Sequence, residues 1–570
     1  LTNSKQKIPP WRQYILIAIV SITFILIGLR LTLLQVVSTD CFLINQNSCK
    51  TNLSTFADKK QIGIRSIDAH RGIIYDRNKE ILAMSIPKKT LCININRIYD
   101  LYIKNEINFD PLLIKIGMDK KEFNRIIRNN KNKQEYYLKR KLDDNLYTDI
   151  VKLNLPHTYF INEYQRVYLS GESFSNVIGF TNVDDKGQEG IELAKNDILK
   201  SITGVKKIRK DNLGRNIQLL DVIKEAKNGT DIDLSFDKRI QFIGYKILEK
   251  HVQQQKAKSA SLILVKNKTG EIISMINYPS FNPQNRHEYK GNKIQNLAVT
   301  ELFEPGSTIK PFIIYSGLSN NSANIDDVID TSLGFQLTHS SERLMDYKNL
   351  GNLTIEGILE KSSNVGAAKI AKNTKKKYIY GDLQKLGFGE DLFIQFPGIQ
   401  NGTLKSYHQW DEALHGTIGF GYGMSTSLLH LANAYTILAN HGRKVQLTYE
   451  KATQPVEYEH VLNKNISTMI LKMMQTAVQS GTGQEASLNK YTVSGKTGTV
   501  RLNKNGAYSR SNHNAIFVGI TPSSDPEYVA AIIIRDPKKG NTSGGKNAAP
   551  IFREFMNHAL NILEVYPDKK

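Results

Sequence analysis

Cysteine is almost absent from this chain: Cys41, Cys49 and Cys92 are the three in 570 residues. So few cannot build a disulfide framework. Neither Cys nor His shows ligand spacing, so no metal and no cofactor is expected. Cys41 and Cys49 could pair in an oxidising space, or stay unpaired or buried, and neither is given a role. Proline and glycine, at 16 and 39, are not in excess, which argues against a low-complexity chain. Zinc-finger spacing, an RNP-like strand and a long basic block are all missing. The formal net charge of +22 comes from lysine scattered among asparagine and isoleucine. That pattern reads as compositional bias, and no nucleic-acid partner is expected. No internal repeat is evident.

One long apolar run is present. Residues 14–37 contain about sixteen Ile, Leu, Val or Phe residues. At roughly −0.3 to −0.6 kcal/mol each, they outweigh Arg30, which costs at most about 2.5 to 3.5 kcal/mol at mid-bilayer. Lys5, Lys7 and Arg12 precede the run, so the positive-inside rule predicts a cytoplasmic N-terminus, with everything after residue 38 across the membrane. Residues 35–40 show no small-residue cleavage pattern, so an anchor is expected and not a removed signal. Arg30 is expected to snorkel to the outer interface, although a partner helix could use it.

A chain of 570 residues predicts two or more modules. Between about 50 and 228, short strand-like runs alternate with Lys- and Asn-rich loops, and no catalytic constellation appears. There, Arg71 to Ala83 reads as strand, turn, strand with a structural ion pair. Gly187 to Glu192 is expected to precede an amphipathic helix, and Arg209 to Arg215 to form a polar turn. After Gly229 the pattern changes. A helix is predicted from Asp237 to Leu248, and a hairpin around Lys268-Thr269-Gly270 between two apolar runs. Helices follow at 353–361 and 428–438, then strands at 515–520 and 528–534 and a last helix at 551–563. Strands, helices, then strands with a covering helix imply an α+β domain whose antiparallel sheet is sandwiched by helices.

Three short motifs carry the chemistry: Ser307-Thr308-Ile309-Lys310, Ser362-Ser363-Asn364 and Lys496-Thr497-Gly498-Thr499. Each alone is weak, since S-x-x-K also starts at Ser4, Ser85, Ser235, Ser487 and Ser543, and K-T-G recurs at Lys268. Context selects Ser307. Glu304-Pro305-Gly306 breaks the chain before it, and Ile309, Phe312 and Ile313 follow at helical spacing. A spacing of three puts Ser307 and Lys310 on one face, a nucleophile with its base one turn away. An ordinary lysine, with a pKa near 10.4, is a poor base at pH 7; lowering it by about three units corresponds to roughly 4 kcal/mol. Burial, a helix dipole and a second cation act in that direction, and Lys496 is the candidate cation. Ser362 and Asn364 suit proton relay and amide binding. Gly498 would let a peptide-like substrate approach the backbone, while Lys496, Thr497 and Thr499 would hold a carboxylate. Backbone N–H groups of Ser307 and Thr499 are candidates for an oxyanion hole.

Together with Phe303 to Pro311, Phe420 to Gly423, Arg71 to Ala83 and Pro279 to Pro283, these motifs resemble the class B penicillin-binding proteins of the cell-division (FtsI) type. The resemblance extends over nearly everything after residue 12. It implies a penicillin-binding transpeptidase fold at 229–570, an N-terminal α+β pedestal (dimerisation-type) domain at 50–228, one transmembrane anchor at 14–37 and a cytoplasmic tail at 1–13. It implies D,D-transpeptidation of stem peptides ending in D-Ala-D-Ala during septum synthesis, inhibited by β-lactams. Ser307, Lys310 and Ser362 would be catalytic, and Asn364, Lys496, Thr497, Gly498 and Thr499 substrate-binding. The expected setting is the inner membrane, beside an FtsW-type glycosyltransferase and other division proteins. An elongation-type transpeptidase and a β-lactamase or β-lactam sensor are the alternatives, and a non-enzymatic scaffold is a third reading. Lys79, Leu169, Ser427 and Thr542-Ser543 depart from the family pattern.

Overall fold

The structure, a computed structural model, describes residues 10–35, 62–210, 216–289, 291–338, 343–504, 507–539 and 543–569. Residues 36 and 37, Cys41, Cys49, the 211–215 part of the expected turn and Thr542 lie outside them. The chain forms two compact units, one of residues 1–69 and 201–228, the other of residues 70–200 and 229–570.

In the first unit, residues Pro10–Gln35 form one helix. Its Pro10–Thr32 stretch has a mean hydropathy of 2.4 and is long and apolar enough to cross a bilayer; at 1.5 Å per residue it reaches about 35 Å. The same unit holds an antiparallel sheet ordered Ile62–Ile67, Gly204–Lys210, Asn216–Lys224. Arg209 and Lys210, expected in a turn, are strand residues paired to both neighbours or one.

In the second unit, the long strand Ile81–Ile93 pairs with Thr158–Tyr168 and Tyr136–Leu142. Helices Ile95–Ile103, Asp110–Ile116 and Lys120–Asn129 close a small core around Ile98, Phe109, Phe123 and Leu138. The segment after Gly187 differs from expectation. It forms two short helices, Gly190–Ala194 and Asn196–Leu199, and not one amphipathic helix. The break falls at Lys195, and within the first helix Glu192 is fully buried and joined at 2.6 Å to both Arg71 and Arg166. Three charges removed from water are tolerated because further acceptors meet the arginines: Asp185 O, Asn196 Oδ1 and Glu192 O for Arg71, and Gly72 O for Arg166.

The remainder is a helix-covered sheet. Helix α1 (Lys238–Gln255) is capped by Asp237, whose side chain accepts from Arg239 N and Ile240 N. Strands β1 (Ser259–Lys266) and β2 (Glu271–Tyr278) form the expected hairpin, turned at Gly270 with φ 71°. Then come α2 (Lys310–Ser319), α3 (Ile355–Lys361), α4 (Asn364–Asn373), α5 (Leu428–Ala439) and α6 (Lys464–Gln479). Strands β3 (Ser494–Lys504), β4 (Ala507–Thr521) and β5 (Tyr528–Arg535) and helix α7 (Ala549–Ile562) finish the fold. The sheet order is β2-β1-β5-β4-β3, antiparallel throughout, so β3 is an edge strand.

Side-chain alternation explains the layers. Leu262, Leu264, Ile532 and Ile534 pack with Leu248, Phe552 and Phe555 of α1 and α7. Their neighbours Ile263, Val265, Val529 and Ile533 pack on the other face with Ile313, Leu431 and Tyr435. A period of two, apolar at every position, is the signature of a sheet buried on both sides. Two of the departures noted in the sequence have local reasons. Lys79 adopts φ 65°, the region a glycine would favour, and Ser427 caps α5 by accepting from His430 N.

Candidate active site

Ser307 lies in a 3-10 turn, Gly306–Ile309, which runs directly into α2 with Pro311 in its first turn. The sequence predicts a serine opening an α-helix; the tighter turn differs, but its three-residue repeat still carries Ser307 and Lys310 to the same side. Gly306, at φ 54°, makes this possible: a Cβ there would stand 2.5 Å from Val500 Cγ2. Thr308 pins the turn from within. Its Oγ1 donates to Pro305 O at 2.7 Å, and its carbonyl accepts from the buried Tyr435 hydroxyl at 2.6 Å.

Lys310 is 0% exposed. Its Nζ donates to Ser362 O at 2.6 Å, Asn364 Oδ1 at 2.7 Å and Ser362 Oγ at 3.3 Å. No hydrogen bond joins it to Ser307 Oγ among the described residues, so the second motif and not the nucleophile holds the amine in this state. Burial pushes the Lys310 pKa well down, the charge of Lys496 pushes the same way, and Asp346 opposes them. Lys496, 1% exposed on β3, donates to the same Ser362 Oγ at 2.9 Å and is itself lowered to about 7 by burial. The expected second cation is therefore in place.

Ser362 ends α3 in the left-handed region, φ 60°, and Ser363 caps α4 by accepting from Gly366 N. This turn aims the Ser362 and Asn364 side chains at Lys310. It is held from outside by Asp346, whose carboxylate accepts from Ser363 Oγ at 2.5 Å, Asn364 N at 2.6 Å and Val365 N at 3.2 Å. Sequence reasoning missed Asp346, a lone acid in a loop with no periodic or motif context.

On β3, Thr497 Oγ1 meets Thr482 Oγ1 at 3.0 Å, and Thr499 Oγ1 accepts from Gly544 N at 2.9 Å. The Cβ direction at Gly498 points at Thr308 Cγ2, 2.9 Å away. Glycine here lets the edge strand lie against the nucleophile turn, a closer reason for it than the expected approach of substrate. All eight predicted residues thus converge where the Ser307 turn, the Ser362 turn and β3 meet. The second K-T-G, at Lys268, stays in its hairpin, with Lys268 paired to Asp525 at 3.0 Å. The S-x-x-K at Ser235 is spent on structure, its hydroxyl donating to Ile272 O at 2.7 Å. Among the described residues, no three His, Cys, Asp or Glu side chains converge to hold a metal ion.

Buried amines on either side of one hydroxyl, beside a constrained serine, can run proton transfer to and from an acyl-forming oxygen. Comparison with known proteins points the same way. Residues 260–557 match the penicillin binding protein transpeptidase domain, and residues 66–234 the penicillin-binding protein dimerisation domain. The chain is 33% identical to the peptidoglycan D,D-transpeptidase FtsI of Buchnera aphidicola, covering 98% of this chain and 96% of that one. It is 31% identical to the probable peptidoglycan D,D-transpeptidase PenA of Neisseria meningitidis, covering 96% and 94%. The transpeptidase domain of Burkholderia pseudomallei penicillin-binding protein 3 superposes with a TM-score of 0.54 at 30% identity, covering 59% of this chain and 98% of that structure.

Proposed function

This chain belongs to the penicillin-binding protein transpeptidase family, and from that premise we propose how its residues carry out peptidoglycan D,D-transpeptidation. The carrying observation is the shared hydroxyl: Ser362 Oγ lies 3.3 Å from Lys310 Nζ and 2.9 Å from Lys496 Nζ. A lysine kept neutral by burial accepts the Ser307 Oγ proton as that oxygen attacks the carbonyl of the penultimate D-alanine. Backbone N–H groups of Ser307 and Thr499 receive the developing oxyanion. The carbon–nitrogen bond to the terminal D-alanine then breaks, and the proton passes from Lys310 through Ser362 to the departing amine. Asn364 binds the peptide amide, and Lys496, Thr497 and Thr499 hold the terminal carboxylate. An amine from a neighbouring strand next attacks the Ser307 ester. Its proton returns to Ser307 Oγ as the new amide forms.

The same reading assigns residues 1–13 to a cytoplasmic tail, 14–37 to the anchor, 50–228 to the pedestal and 229–570 to the catalytic domain. Three basic residues before the apolar run at 14–37 support an N-terminus inside and catalysis outside the inner membrane. Asn364-Val365-Gly366 and Glu304-Pro305-Gly306, together with the FtsI relative, favour septum synthesis beside an FtsW-type glycosyltransferase.

The test uses the detergent-solubilised full chain and a fluorescent penicillin. Label that persists for many minutes, and is lost in Ser307→Ala, is the expected outcome. Rapid release of hydrolysed drug would instead mark a β-lactamase, and label independent of Ser307 would overturn the assignment. Filamentation of cells depleted of the protein assigns it to division.

A further inference from the structure

Away from the catalytic residues, a cavity of about 330 Å³ opens in the second unit, near the lower end of the size range of small-ligand sites. Strand Tyr136–Leu142 lends it Arg140 and Lys141, strand Thr158–Tyr168 lends Arg166, and the loop after Thr181 lends Asp185. Pro283 and Tyr289, from the chain that follows β2, are part of its wall. Tyr289 packs there on Phe180, with ring centroids 4.0 Å apart. The cavity thus brings residues 140–185 against residues 283–289. Since β2 and β3 are opposite edges of the sheet, it is separate from the Ser307 site, and no step of the proposed reaction uses it.

Side-chain exposure falls along its three cations, from 28% at Arg140 through 14% at Lys141 to 2% at Arg166, so positive charge runs from rim to depth. One carboxylate shares the lining with them, Asp185, paired to Lys141 at 3.2 Å. The acids that hold the other two cations, Glu163 and Asp184 for Arg140 and Glu192 for Arg166, are not lining residues. Arg166 is the cation left incomplete. Its Nε donates to Glu192 and its Nη1 to Gly72 O at 2.8 Å and Ser85 Oγ at 3.4 Å, while Nη2 has no hydrogen-bond partner among the described residues. A buried donor left unmet is costly, and an acceptor on a ligand would meet it.

We propose that this cavity binds a carboxylate carried on a short acyl or peptidyl chain, with the carboxylate on Arg166, Lys141 and Arg140 and the chain against Pro283 and Tyr289. A carboxylate accepts through two oxygens and carries one charge, which suits guanidinium and ammonium donors that still have N–H groups to give. The proline and the aromatic ring favour a carbon stem over a bare inorganic anion. Asp185 sets the charge the site accepts: its carboxylate opposes any anion and disfavours a multiply charged one most. Burial raises the Asp185 pKa, which lessens that opposition. A ligand bound here touches residues 140–185 and 283–289 together, and so stabilises their packing by mass action.

The experiment is isothermal titration of the detergent-solubilised full chain with three probes: the N-methylamide of N-acetyl-L-glutamate, its glutamine counterpart, and inorganic phosphate. The first two differ only in carboxylate against amide. The acid is expected to bind saturably and the amide at least about tenfold more weakly, since charge-assisted hydrogen bonds are lost. Arg140→Gln and Lys141→Gln should each weaken the acid by about fivefold or more and leave the amide unchanged. Asp185→Asn, which removes the opposing charge, should tighten the acid. Arg166 is left intact because Glu192 depends on it. Only variants that label with penicillin at the parent rate are scored, which sets misfolding aside. Equal binding of acid and amide, no saturable binding of the acid, or an acid affinity unchanged in Lys141→Gln would overturn the site. Phosphate binding tighter than the acid would overturn the carboxylate class, and weaker acid binding in Asp185→Asn would overturn its being held as an anion.

Discussion

Lys310 and Lys496 donate to a single oxygen, Ser362 Oγ, at 3.3 and 2.9 Å, although both side chains are almost completely buried. Two ammonium groups so close in a low-dielectric site disfavour each other's charge, and burial disfavours both. The pair therefore titrates together, with apparent values that belong to the pair.

The rate of Ser307 acylation by penicillin should reflect this. Lys310 acts as a base only when neutral, and its lowered pKa carries the neutral form to lower pH than an ordinary lysine allows. Acylation measured between pH 5 and 9 is expected to fall roughly tenfold per unit on the acid side. Lys310→Arg, which cannot deprotonate, should lose about 10² to 10⁴ of the rate at every pH. Stability has the same sign. Both lysines bind protons more weakly folded than unfolded, so between about pH 7 and 10.4 the unfolded chain holds more protons and stability rises with pH. Urea unfolding across that range checks it, and a decrease would be incompatible with buried neutral lysines.

Asp346 is predicted to matter without touching Lys310. Asp346→Ala removes the acceptor of Ser363 Oγ, Asn364 N and Val365 N, leaving donors unmet at a cost of about 1 to 3 kcal/mol. The turn that aims Ser362 and Asn364 loosens, and penicillin acylation should slow by about tenfold or more. Asp346→Asn retains an acceptor but removes the charge that raises the Lys310 pKa, so its pH profile should move to lower pH. A profile that stays in place would mean Asp346 acts by shape alone.

Gly498→Ala tests how closely the edge strand must approach the nucleophile. The added methyl would lie 2.9 Å from Thr308 Cγ2, 3.3 Å from Pro305 O and 3.3 Å from Ile516 Cβ. Thr308 cannot easily turn away, because its hydroxyl is bonded to Pro305 O. Overpacking of this kind costs about 1 to 3 kcal/mol. Movement of β3 away from Ser307 should lower acylation more than it lowers the melting temperature. Gly381→Ala is the control: nothing lies within 4 Å of its Cβ, it sits inside helix Lys376–Lys385, and it should stabilise by about 0.5 to 1 kcal/mol.

What the sequence made legible follows from the range of the interactions. Ser307 and Lys310 were readable because a turn and a helix are local, and Lys268-Thr269-Gly270 was readable as a decoy because its flanking apolar runs pair with each other. The hairpin, α5 and α7 were found within a few residues for the same reason. Asp346 was not readable, since its partners are 17 to 19 residues away and only the folded loop brings them together. Gly498 was assigned to substrate approach because strand pattern says nothing of what lies across a tertiary contact. Glu192 reads in sequence only as the residue before an expected helix; nothing near it announces Arg71, 121 residues earlier.

Glu192 supplies the largest expected change in stability. Its oxygens are divided, Oε2 to Arg71 Nε and Oε1 to Arg166 Nε, each at 2.6 Å, and all three side chains are at most 2% exposed. Glu192→Ala leaves two buried guanidinium groups facing each other without an anion, which costs about 3 to 5 kcal/mol. Glu192→Gln keeps one acceptor and should cost less. By contrast, Lys79→Ala breaks an ion pair with Asp233 whose side chains are 66% and 39% exposed, worth about 0 to 1 kcal/mol. Chemical unfolding of the three variants should rank them in that order. Because Glu192 belongs to neither the nucleophile nor its proton path, the fraction of Glu192→Gln that remains folded is expected to acylate at the parent rate, which separates loss of fold from loss of chemistry.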